Sequence, residues 1–190
     1  MTTVLSRVRA LLASPASTWS KIAAEDAGAA AICRNYVAVV AAVPAVSLFV
    51  GLIASARRVG TPGISGAAVA AAASYAMALA QVVVAALMVG ALAPRFKSPR
   101  GFRQAFALIA YASTPVWLAG VSYVAVALSP LAVAGLVYAI YLLFLGVSPV
   151  MKTPIEQRVP YTLVCAIALI VSSAALRSIL AVIRLPSYGL

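Results

Sequence analysis

Between Arg103 and Lys152 the chain carries no charged residue. At about 1.5 Å per residue the run from Gln104 to Met151 would make a straight helix of roughly 72 Å, against a hydrocarbon core about 30 Å thick. No single crossing has that length. Near the middle stands Leu128-Ser129-Pro130-Leu131, where Pro130 lacks an amide hydrogen and pushes Ser129 out of the helical region. The run is therefore expected to fold back as a membrane hairpin, with every other segment arranged around it.

Composition supports that reading. Hydrophobic residues make up 65% of the 190 positions and charged residues 9%, far from the roughly one quarter charged of a soluble domain. The chain accommodates about five crossings and leaves little for a folded soluble domain. The net charge of +11, from 14 Lys and Arg against 3 acids, is first a topology signal and only then a sign of nucleic acid, which is not expected as a partner. Cys33 and Cys165 are too few and too scattered for a disulfide framework and read as buried small hydrophobes.

The expected fold class is an all-α integral membrane protein: five transmembrane helices preceded by a short N-terminal interfacial amphipathic helix. Val4, Leu5, Val8, Leu11 and Leu12 recur at helical spacing with Arg7 and Arg9 off the stripe, which predicts a short helix lying flat at the membrane surface. The same arginines break the apolar core a secretory signal needs, so the first span is expected to act as the targeting signal. Ser14-Pro15 opens a second short helix through Trp19, with the indole expected at headgroup depth. Residues 1–34 are read as this surface segment, 35–184 as the membrane domain and 185–190 as a tail. The spans are expected near 36–55, kinked at Pro44, 67–92, 104–128, 130–150 and 159–183. Arg57 and Arg58 stop the first span, and a loop containing Gly60 and Pro62 follows.

With five spans the loops alternate sides. Arg7, Arg9, Lys21, Arg34, Arg95, Lys97, Arg100, Arg103, Lys152 and Arg158 fall on one face, and Arg57, Arg58, Arg177 and Arg184 on the other. The positive-inside rule then predicts a cytoplasmic N-terminus, an outside C-terminus and residence in the cytoplasmic (inner) membrane.

Little in the spans can do chemistry. There is no histidine, and Glu25, Asp26 and Glu156 all lie outside the expected crossings, so neither a metal site, a cofactor nor a buried proton relay is expected. An enzyme would have to find its base among the three lysines and three carboxylates, all near the cytoplasmic face, and would need a cavity near Lys152 and Glu156; none is expected. Gln81, with Tyr111, Thr114, Tyr138 and Tyr141, provides the polar atoms at mid-membrane depth. These residues either line a small pocket of a permease or channel subunit or serve as hydrogen-bond glue between helices, at about 0.6 to 2 kcal/mol each; glue is the favoured reading. Arg177 is expected to snorkel to the outer headgroups. Arg95, Lys97, Arg100 and Arg103 form a basic loop that either binds anionic lipid heads or simply fixes topology.

Three stretches carry a family resemblance. Pro15-Ala-Ser-Thr-Trp-Ser-Lys-Ile-Ala-Ala-Glu, Tyr111-Ala-Ser-Thr-Pro-Val-Trp-Leu-Ala-Gly, and Tyr138-Ala-Ile-Tyr-Leu-Leu-Phe-Leu-Gly-Val-Ser-Pro-Val-Met-Lys-Thr-Pro running into Val-Pro-Tyr-Thr162 resemble the bacterial branch of the Yip family, the Ypt/Rab-interacting membrane proteins. The likeness covers about Ala13 to Ser173 and implies a five-span domain with a cytoplasmic N-terminus. Through it, Trp19, Tyr111, Pro115, Trp117, Gly146, Pro149, Lys152, Pro154, Pro160 and Tyr161 are assigned architectural roles. Eukaryotic relatives are associated with small GTPases, but only about 35 residues precede the first span here, which argues against a GTPase partner. The reading that remains is a non-enzymatic membrane protein acting through helix packing, self-association as a homo-oligomer, or lipid contact.

Overall fold

The computed structural model describes residues 3–25, 27–55, 63–99 and 101–182. Arg57, Arg58, Gly60, Pro62, Arg100, Arg184, the 185–190 tail and the side chain of Arg177 lie outside what is described. Among the described residues there is no strand. Five helical runs are long and apolar enough to cross a membrane: Ala29–Ala54, Ile64–Phe96, Phe102–Val124, Pro130–Met151 and Ile155–Leu176, here spans 1 to 5. The last continues as helix to Val182. The chain turns back at Ser129-Pro130 as expected, with Pro130 opening span 4 at a position that needs no amide hydrogen.

The boundaries differ from the hydropathy reading mostly at the charged ends. Span 1 begins at Ala29 rather than near Tyr36, and span 5 at Ile155 rather than Val159. Hydropathy stops at the first charge, but a helix with its early turns in the headgroup zone carries Arg34 or Glu156 and Arg158 without cost to its backbone bonds. Span 3 loosens instead: the α-helix ends at Ala119, and two short 3-10 turns lead through Val124 and on to Leu128.

Two prolines coincide with breaks in their helices, while Pro149 and Pro160 lie within helices that continue past them. The helix of span 1 breaks at Ala41, within a turn of Pro44. Span 3 breaks at Ser113, just ahead of Pro115. Because Pro115 cannot bond to the Tyr111 carbonyl, the Thr114 hydroxyl takes it at 2.7 Å.

Spans 1 and 3 run in the same direction, with Tyr36 against Thr114, Pro44 against Gly120 and Gly51 against Tyr123. Span 2 runs against both: Gly90 abuts Phe102, and the Tyr75 hydroxyl donates to the Ala38 carbonyl at 2.9 Å. Span 4 returns along span 3, Gly135 against Pro115 and Gly146 against Leu108. Span 5 pairs with span 2 through Tyr161 and Val89 at one end and Leu169 and Gln81 near the middle. Span 3 is the hub, buried over 78% of its central stretch against 28% to 44% for the others. It is also the least hydropathic of the five, since only the lipid-facing spans need an apolar surface all round.

The N-terminal segment makes contacts that its sequence did not show. Helix α1 (Val4–Ala13) is amphipathic, and with α2 (Pro15–Ala24) it forms a hairpin docked on spans 3 and 4. Its tip reaches far: the Tyr138 hydroxyl donates to the Leu12 carbonyl at 2.8 Å, and Tyr138 stands roughly 20 Å along span 4 from its Met151 end. Leu11 and Trp19 are fully buried. Trp19 is thus a core residue and not a headgroup anchor, because a bare Gly146 opposite leaves room for the indole. A Cβ at Gly146 would stand 2.8 Å from that ring and 2.7 Å from Leu108.

Candidate functional site

Three features have polar or cavity character, and the residues expected to form one pocket are divided among them. The first is a dry aromatic knot. Tyr36 and Tyr111 pack with ring centroids 4.7 Å apart, and Trp19 meets Tyr111 edge-on at 6.5 Å. The single Thr114 proton goes to the Tyr111 carbonyl, so Tyr36 donates its hydroxyl proton to Thr114 Oγ1 at 2.7 Å. Arg7 lies 5.8 Å from the centre of the Tyr111 ring and ion-pairs with Glu25. Tyr36, Thr114 and Tyr111 are at most 6% exposed, so the knot ties span 1 to span 3 and leaves no room for a ligand.

Basic residues gather at the second feature, the end where spans 2 and 4 finish. Lys97 and Lys152 both terminate helices with left-handed backbone, φ 53° and 54°. The Ser98 hydroxyl donates to the Met151 carbonyl and fastens the loop against the end of span 4. Arg95, Lys97, Arg103 and Lys152 are exposed there. Behind them Tyr161 stacks on Phe96 at 4.8 Å and donates to the Val89 carbonyl at 2.9 Å. Arg158 lies 3.8 Å over the Phe144 ring and bonds the Phe144 carbonyl, one turn before Pro149. Pro149 and Pro160 lie inside helices and Pro154 in the turn between them, so the three shape the reversal from span 4 to span 5. Nearby is a cavity of about 240 Å³ walled by Ile22, Glu25, Arg103, Gln104 and Val150 among others. Of the six lysines and carboxylates that could serve as a base, Glu25 lines it, while Lys152 and Glu156 do not.

The third feature is a cleft of about 400 Å³ in the opposite half, bounded by residues of all five spans. Gln81, Ser113 and Trp117 line it; Tyr111, Thr114, Tyr138 and Tyr141 do not. The expected polar pocket is therefore not assembled. Depth along a span was legible, but helical phase was not: Tyr138 and Tyr141 sit three residues apart on a face turned from span 2, Tyr138 toward α1 and Tyr141 47% exposed. Sequence reasoning missed Tyr36, Arg7 and Glu25; a hydroxylated aromatic early in a span and an acid eighteen residues from an arginine were the available signals.

A helical bundle whose hydroxyls and rings are spent on joining helices defines a polytopic membrane protein with an architectural interior. Residues 9–176 match the Yip1 domain family model, and the chain belongs to that family. No curated protein and no solved structure matches it.

Proposed function

We propose that this Yip-family protein is a non-catalytic component of the cell membrane, with its basic end in the cytoplasm, that works by holding anionic lipid headgroups there. One observation carries the reading: the Ser98 hydroxyl bonds the Met151 carbonyl, so the loop that bears the exposed Arg95 and Lys97 is fastened to the end of span 4, where the exposed Lys152 follows. Mere topology determination needs charge on a loop but no such fastening. The positive-inside bias supports the orientation, which puts the Ser129-Pro130 turn outside.

Each cation near an anionic surface contributes about 1 kcal/mol. Native mass spectrometry of the detergent-purified protein, with phosphatidylglycerol or phosphatidylcholine of the same chains added, checks the consequence. The wild type should retain phosphatidylglycerol preferentially, and the double variant Lys97→Gln, Lys152→Gln should lose on the order of tenfold of that preference. Equal retention of the two lipids by the wild type would remove the proposal. The folded state of the variant is verified by its unchanged unfolding midpoint, since both side chains are exposed.

A further inference from the structure

We propose that the cleft between spans 4 and 5 binds the chain of a neutral amphiphile, one whose single hydrogen-bonding oxygen, hydroxyl or carbonyl, pairs with the Gln81 carboxamide. The floor of the cleft is closed, with Leu143 at 0%, Val82 at 2% and Ala139 at 3% exposure. Its lips are not: Leu136 on span 4 is 51% exposed and Ile170 on span 5 is 63%. At this depth the surroundings are hydrocarbon, so the opening is lateral, into the bilayer. A space of about 400 Å³ with largely carbon walls does not hold water well and fills from what surrounds it.

Gln81 gives the occupant its polarity. The residue stands midway along span 2, where its Nε2 donates to the Leu169 carbonyl in a long bond of 3.4 Å. Its second N–H and its Oε1 have no partner among the described residues. An unmatched amide group facing hydrocarbon costs several kcal/mol. No charged residue lines the cleft, so an ionic headgroup would be uncompensated at that depth. The ester carbonyls of ordinary phospholipids lie at the edge of the hydrocarbon core, about 15 Å away. What fits is a molecule that resides wholly within the core and carries one uncharged oxygen, such as a long-chain or isoprenoid alcohol.

Two photoreactive probes decide it: a diazirine-bearing long-chain primary alcohol and the diazirine-bearing alkane of equal length, applied to the protein in phosphatidylcholine nanodiscs. Labels from both should map to 136–143 and 166–173, with the alcohol about fivefold more efficient, the size of one hydrogen bond. Gln81→Leu should abolish the alcohol's advantage while alkane labelling persists, which also reports that the cleft is still formed. Ala139→Phe, which fills the floor, should abolish both. Equal labelling by the two probes in the wild type, labels absent from both segments, or a dimer cross-linked through Leu136 and Ile170 would each overturn the proposal, the last by making a second copy the occupant.

Discussion

Trp19→Ala is expected to destabilise the protein by about 3 to 5 kcal/mol, the usual cost of deleting a buried indole, and to free the α1–α2 hairpin from spans 3 and 4. The indole is fully buried, meets Tyr111 edge-on and lies against the bare backbone of Gly146. Around it, Val8, Leu11 and Ile22 bury the rest of the hairpin's apolar face. Losing the ring removes the largest contact on that seam. Trp19 Nε1 has no hydrogen-bond partner among the described residues, so the side chain contributes volume rather than a polar bond. Trp19→Phe should therefore cost much less than Trp19→Ala. Denaturation in mild detergent measures the stability, and maleimide reaction at Leu11→Cys, in a background lacking Cys33 and Cys165, measures hairpin release. The alanine variant should expose Leu11→Cys, and the phenylalanine variant should keep it protected. An alanine variant as stable and as protected as the wild type would mean that the hairpin rests on the surface and not in the bundle.

Gly51→Val is expected to have a comparable effect at the other end of the molecule. A Cβ at Gly51 would stand 2.1 Å from the Tyr123 carbonyl oxygen and 3.3 Å from Val124 Cα. Both are backbone atoms, so no rotamer relieves the clash, and spans 1 and 3 would have to part. The expected cost is at or above the upper end of the 1 to 3 kcal/mol typical of overpacking. Gly28→Ser is the control: a Cβ there meets nothing within 4 Å, and serine is a favoured residue at the N-cap position Gly28 occupies. Its unfolding midpoint should match the wild type within about 0.5 kcal/mol. A Gly51→Val protein indistinguishable from that control would show that spans 1 and 3 do not approach as closely as described.

The contrast between these two sites shows what sequence carries in a membrane protein and what it does not. The five crossings and the fold-back at Ser129-Pro130 were legible because charge and proline act on the backbone directly, whatever packs around it. Gly146 was legible only as a family-motif residue. In an apolar run bathed in lipid, glycine, alanine and leucine serve the crossing almost equally, so nothing local marks the one position where an indole from elsewhere needs the space. The same limit dispersed the expected pocket. Gln81, Tyr111 and Tyr138 stand at mid-span positions, but three helices whose relative rotation is fixed only by packing send them to a cleft, a knot and a hairpin tip respectively. Burial by a partner helix also hid Tyr36, whose hydroxyl finds Thr114 seventy-eight positions away.

The family membership adds a constraint without supplying a task. The matched region begins at residue 9, inside α1, so the second half of α1 and all of α2 fall within the Yip1 domain. That agrees with the packing: removing 1–34 as if it were a separate segment would strip the buried Trp19 from the core and Arg7 from beside the Tyr111 ring.

Everything rests on an odd number of crossings with the basic loops on one side. Placing a reporter that is active only in the cytoplasm at the N-terminus, and in a second protein at the C-terminus, tests this most directly in intact cells. An active N-terminal and a silent C-terminal reporter are expected. Activity at both ends would mean an even number of crossings, and activity only at the C-terminus would place the Lys97 and Lys152 rim on the wrong side of the membrane.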